Sequence, residues 1–139
     1  MKITLSRLNE AVYLQAKNED GLTVDIDGSP EIGGENMGVR PMQLMLMGLA
    51  GCSSMDVISI LKKQKQQITS YDVIVTGERE KDTVPSLFTE IELEFIIKGK
   101  VDLKKAEKAV KLSMEKYCSV TKILEKTATI THKITLKEE

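Results

Sequence analysis

The chain has 139 residues, enough for one domain with a real core, and its 41% apolar and 29% charged residues are those of an ordinary globular protein. Its 20 basic and 21 acidic side chains leave a net charge of −1, which gives no electrostatic case for nucleic acid or an anionic membrane surface. With two Phe, three Tyr and no Trp it also lacks a platform for stacking bases.

The opening "MKITLSRLNE" alternates apolar and polar residues and has no continuous hydrophobic segment, so it does not read as a signal peptide. Three short strands are expected in the first 27 residues: "KITLSRL", "AVYLQAK" and "LTVDID". Ile3 and Leu5 share a parity in the first, Val12, Leu14 and Ala16 in the second, and Leu22, Val24 and Ile26 in the third. Asn9-Glu10 and "NEDG" at 18–21 supply turn chemistry between them, which predicts a meander. Residues 28–40, "GSPEIGGENMGVR", read as loop.

Pro41 opens a helix, because its fixed φ suits the first turn and its missing N–H costs nothing there. From Leu44 to Leu61 only Asp56 is charged, so this helix is expected to be buried nearly all round. The run "LMLMGLAGC" is well short of the roughly 18–20 apolar residues that span a bilayer. No membrane is expected, and the protein is placed in the cytoplasm. Lys62 begins a solvated end whose lysines suit a helix C-terminus.

Two long strands follow, "YDVIVTGER" and "LFTEIELEFIIKG". In the second, Ile91, Leu93, Phe95 and Ile97 face one side and Glu90, Glu92 and Glu94 the other, the mark of an antiparallel sheet with one wet face. Asp102 is the expected N-cap of a second helix with Leu103, Ala106, Val110, Ser113 and Tyr117 on one stripe. Ser119 is the expected cap of a third, short helix. The last strand, "ATITHKITLK", carries Ile130, His132, Ile134 and Leu136 on one face, and His132 reads as a satisfied core residue. The order βββ-α-ββ-α-α-β is an α+β architecture in a single domain over 1–139. So apolar a helix needs more cover than one chain of this size provides, which predicts a dimer.

Few residues are candidates for chemistry. Cys52 lies in "GLAGCSSMDV" among small neighbours that let another element or a small molecule approach its sulfur. Two readings stand: a packed, inert thiol, as most buried cysteines are, or a reactive one. Asp56, one turn later, faces that sulfur and disfavours its thiolate, serves as a local cap, or turns to a neighbouring backbone. Cys118, in "EKYCSVTK", falls at a junction of two helices, where a helix N-terminus would favour thiolate; packing is the alternative. In a reducing compartment two such distant cysteines are not a permanent structural disulfide, and with one histidine they make no zinc site. The arginines are Arg7, Arg40 and Arg79, and Arg40, extended before Pro41, is the one suited to a thiolate. Met37, Met42, Met45, Met47 and Met55 are core filler or the lining of an adaptable apolar pocket.

Taken together, "RPMQLMLMGLAGCSSMDVISILKK", "VTGERE" with "PSLFTEIELEF", and "AVKLSMEKYCSVTKIL" resemble the OsmC/Ohr family of osmotically induced and organic-hydroperoxide-resistance proteins. The resemblance runs through nearly the whole chain. It implies an OsmC-like fold, antiparallel sheets around a buried central helix, in an intertwined homodimer with two interface sites. It implies Cys52 as the peroxide-reacting cysteine and Cys118 as its resolving partner, and Arg40 would have to substitute as the cation at the thiolate. The substrate class would be a small organic hydroperoxide and the electron donor an external thiol, with no metal or organic cofactor. Two departures stand out: Met42 and Gln43 occupy the positions of the glutamate that family peroxidases usually carry, and "LTVDID" lacks their usual arginine. A non-catalytic dimeric module that binds a small apolar ligand is the alternative.

Overall fold

Strands β1 (Thr4–Arg7), β2 (Leu14–Lys17) and β3 (Thr23–Ile26) form an antiparallel meander in the order β1-β2-β3. The computed structural model, which describes residues 1–138, places it in the first of two compact units, Met1–Met45 and Leu46–Glu139. Its turns are built as the sequence suggests. The Asn9 side-chain oxygen accepts from the Ala11 and Tyr13 N–H groups, and that of Asn18 from Asp20 and Leu22. Gly21 supplies the positive φ of the second turn, +83°. Leu5, Ala16 and Val24 stand opposite one another in the ladder, and Leu5 and Val24 remain exposed.

The loop after β3 is folded around one carboxylate. Asp27 is buried and accepts backbone N–H bonds from Gly28 (2.7 Å), Glu35 (3.1 Å) and Met37 (3.1 Å). Burial opposes its charge, but those three donors and the nearby Arg40 guanidinium outweigh it, and its carboxyl sits below the ordinary range. Helix α1 (Pro41–Lys63) begins in this unit and continues in the second. Its entry is closed by Gln43, whose side-chain oxygen reaches back to the Arg40 N–H at 2.9 Å, half of a capping box.

The second unit contains the remainder of α1, a sheet of β4 (Gln67–Arg79), β5 (Phe88–Lys100) and β6 (Thr129–Lys137), and helices α2 (Leu103–Leu112) and α3 (Ser119–Leu124). β4 and β5 are antiparallel, as expected, whereas β6 lies parallel to β5. The alternation read in β5 holds: Ile91, Leu93, Phe95 and Ile97 are buried, and Glu90 and Glu92 are exposed. Gly77 in β4 makes room for a close approach. A Cβ there would lie 2.7 Å from the Phe88 ring and 3.1 Å from the Leu46 side chain.

Helix α1 buries only one stripe within the chain, Leu49, Ser53, Val57 and Leu61. Met45, Met47, Met55 and Ile58 are exposed, Met55 by 76%, so burial all round is not met by a single copy. By length and composition α1 could cross a bilayer. Its Asp56 is bonded to Ser113, and one of its stripes is buried among the residues of the second unit.

Asp102 caps α2 as expected, accepting from the Lys105 N–H at 3.0 Å. Ala106, Val110 and Ser113 keep the predicted stripe, but Leu103 and Tyr117 are each half-exposed. Tyr117 leaves the stripe because residues Ser113–Tyr117 form a π-helical turn, closed by the Cys118 N–H on the Ser113 carbonyl at 2.8 Å. A wider turn rotates the residues after it off the 3.6-residue period. His132 is another correction. It is exposed on β6, its ring edge-on to Phe95 at 6.5 Å, because β6 forms an edge of the sheet.

Candidate functional site

Cys118 ends the π-helical turn and begins α3, and it, rather than Ser119, is the N-cap. Its φ of −74° and ψ of 105° are extended, and its sulfur accepts the Thr121 N–H at 3.4 Å. The side chain has no exposed surface. Thr121 continues the cluster by donating its hydroxyl to the Met114 sulfur at 3.8 Å.

Cys52 lies in α1 beside the buried stripe, half-buried, and its thiol neighbours that of Cys118. Both are free thiols. Burial pushes the Cys118 thiol up; the Thr121 hydroxyl and N–H pull it down by less, and the neighbouring Cys52 raises it further. The helix N-terminus therefore does not make Cys118 a ready thiolate, contrary to the expectation from its position alone. A fully buried sulfur loses more by desolvation than one cap bond returns.

Two further buried hydroxyls lie by residues next to this pair. Ser113 is buried, and its hydroxyl, with one proton to give, lies 3.0 Å from the Asp56 carboxylate and 3.1 Å from the Ser53 carbonyl oxygen. Asp56 thus turns to the Ser113 side chain, which is none of the three alternatives read from the sequence. The one sequence signal for Ser113 was a polar residue on an apolar stripe. Tyr71 of β4 places a buried hydroxyl near Ser54, yet it completes no hydrogen bond among the described residues.

Arg40 is engaged within the first unit. Its Nη1 donates to the Gly38 carbonyl (3.2 Å) and the Asp27 carbonyl (3.4 Å), and its Nη2 to the Asn36 side chain. Gln43 bonds the Arg40 backbone and not its guanidinium. Arg79, the weaker candidate, clamps the β4–β5 connection through Nε and Nη2 on the Ser86 carbonyl, at 3.1 and 2.9 Å. The geometry thus brings Cys52 and Cys118 together and holds Arg40 in its own loop.

Comparison with known proteins matches residues 33–133 to the OsmC-like protein family. Protein YhfA of Escherichia coli strain K12 is 50% identical over 94 residues, which is 66% of this chain and 69% of that protein. A hypothetical protein from Aquifex aeolicus VF5 has a similar structure, with a TM-score of 0.86 at 33% identity, covering 99% of this chain and 96% of that one. An organic hydroperoxide resistance protein OsmC from Legionella pneumophila shares the fold, with a TM-score of 0.72 at 18% identity over 97% of each chain.

Proposed function

The chain belongs to the OsmC-like protein family, and on that footing we propose that it is a thiol-dependent peroxidase of organic hydroperoxides. The observation that carries the proposal is the pairing of a half-buried Cys52 with a fully buried Cys118. The accessible sulfur meets the oxidant and the protected one resolves the product.

In the proposed cycle the Cys52 thiolate attacks the distal oxygen of ROOH. The O–O bond breaks, the alkoxide takes a proton and leaves as ROH, and Cys52 becomes a sulfenic acid. The Cys118 thiolate then attacks the Cys52 sulfur; an S–S bond forms, the S–O bond breaks, and the departing hydroxide takes a proton from solvent to become water. An external dithiol returns two electrons and two protons by thiol–disulfide exchange and is itself oxidised to a disulfide.

The active form proposed is a homodimer. The exposed Met45, Met47, Met55 and Ile58 of α1 make an apolar surface that a second copy would cover. The proposed role of Arg40 is to stabilise the thiolate and the leaving oxygen.

One observation favours a second reading, a non-catalytic module for a small apolar ligand. The Arg40 guanidinium already holds three acceptors of its own loop, with Met42 and Gln43 where a carboxylate would draw it elsewhere. Steady-state consumption of an alkyl hydroperoxide with a dithiol separates the two. The enzyme consumes it faster than free dithiol does and loses that activity as Cys52→Ser; the binding module does neither.

A further inference from the structure

Ser113 touches the two segments that carry the cysteines, and it does so with different atoms. Its carbonyl oxygen accepts the Cys118 N–H at 2.8 Å, the bond that closes the π-helical turn. Its hydroxyl donates toward α1, between the Ser53 carbonyl at 3.1 Å and the Asp56 carboxylate at 3.0 Å. Ser53 is the residue after Cys52, and Asp56 lies one turn further on. Ser113 and Ser53 have no exposed surface, so water cannot readily replace these bonds.

We propose that Ser113 is the positioning residue of the cysteine pair, pinning the turn that presents Cys118 to the stretch of α1 that presents Cys52. A disulfide forms only within a narrow range of Cα separations and a dihedral near a right angle. A pin that holds both backbones near that geometry raises the effective concentration of one thiol for the other, because less freedom is lost when the bond closes. The π-helical turn has a place in this account. Its extra residue brings the Cys118 N–H onto the Ser113 carbonyl while the Ser113 hydroxyl still faces α1, so one residue serves both segments. Asp56 is the strong acceptor of the pair, since a bond to a carboxylate outweighs one to a neutral carbonyl.

The role in turnover rests on the peroxidase reading, but the pin itself is testable without peroxide. The reduced protein is equilibrated with oxidised and reduced dithiothreitol, and the fraction with a Cys52–Cys118 bond is read by mass spectrometry. The protein gives up two electrons and two protons to oxidised dithiothreitol, which becomes the dithiol. Ser113→Ala should lower the equilibrium constant by about tenfold, and Asp56→Ala should lower it by less, because the hydroxyl keeps the Ser53 carbonyl. Asp56→Asn, which keeps an acceptor oxygen, should recover most of the Asp56→Ala loss. The double alanine variant should fall no further than Ser113→Ala alone, because loss of the hydroxyl already removes both bonds. Circular dichroism selects the variants that fold, and either alanine variant suffices. An unchanged constant in a folded alanine variant, or a wild type that never forms the Cys52–Cys118 bond, overturns the proposal. Failure to consume an alkyl hydroperoxide, with the constant still falling in the variants, overturns the peroxidase reading and leaves the pin standing.

Discussion

The sulfur of Cys118 accepts the backbone N–H of Thr121 at 3.4 Å, which makes a thiol the cap of α3. The same atom that would close a disulfide therefore also orders the helix that follows it. A serine can take over the capping bond and an alanine cannot. Cys118→Ser should keep a thermal midpoint close to wild type, and Cys118→Ala should melt lower.

Burial raises the Cys118 pKa above the ordinary cysteine range, with a sign that can be checked twice. The resolving step needs the thiolate, so disulfide formation from pre-formed Cys52 sulfenic acid should keep accelerating with pH beyond about 8.5. The folded chain also holds this proton more tightly than the unfolded chain does. That contribution to stability is complete below the unfolded pKa and is lost as pH rises through the folded one. Rapid mixing after a pulse of alkyl hydroperoxide reads the first effect, and urea midpoints across the alkaline range read the second. A resolving rate that levels off below pH 8 would contradict the raised value.

Gly77 should tolerate no side chain. A Cβ there meets the Phe88 ring at 2.7 Å and Leu46 at 3.1 Å. Gly77→Ala should cost about 1–3 kcal/mol, the usual penalty for overpacking, as read by urea denaturation. Gly77→Ala with Phe88→Leu should recover part of the loss.

Tyr71 has the opposite expectation. Burial pushes its phenol up to about 12, against a smaller pull from Ser54, and its hydroxyl is buried with no completed bond among the described residues. Removing an unsatisfied hydroxyl is close to neutral or stabilising, so Tyr71→Phe should unfold within about 1 kcal/mol of wild type or above it. The phenol proton, like that of Cys118, is held more tightly when folded. Its contribution is lost as pH rises from about 10, the ordinary tyrosine value, through about 12. Ultraviolet titration of the phenolate, wild type against Tyr71→Phe, measures that shift.

The proposed role of Arg40 predicts that Arg40→Ala slows peroxide consumption by roughly tenfold or more, as loss of a charge-stabilising donor does. Arg40→Lys restores the charge without the planar fork and should recover part of the rate. Equal rates for all three proteins would leave Arg40 as an organiser of its own loop, alongside Asp27.

Most of the fold could be read from short-range pattern. The alternation of Ile91, Leu93, Phe95 and Ile97, the asparagine turns, Pro41 and the Asp102 cap are local signals, and each stands in the structure. The parallel pairing of β6 was not legible, because strand parity says which residues share a face and not which way a neighbour runs. Nor was the π-helical turn, since one extra residue in a turn leaves no mark on composition. The exposure of His132 followed from the edge position of β6. At the site, the cysteines were visible as residue types in suggestive neighbourhoods. Their meeting depends on contacts between distant segments, as does the bond from Ser113 to Asp56.

A single-turnover thiol count shows whether Cys52 and Cys118 form one redox unit. Fully reduced protein is given one equivalent of an alkyl hydroperoxide, its free thiols are titrated, and its peptides are mapped without reduction. Both thiols of each chain should be lost and a Cys52–Cys118 bond should form within one chain, with Cys118→Ser stopping at a trappable Cys52 sulfenic acid. Two intact thiols, or disulfides found only between chains, would contradict it.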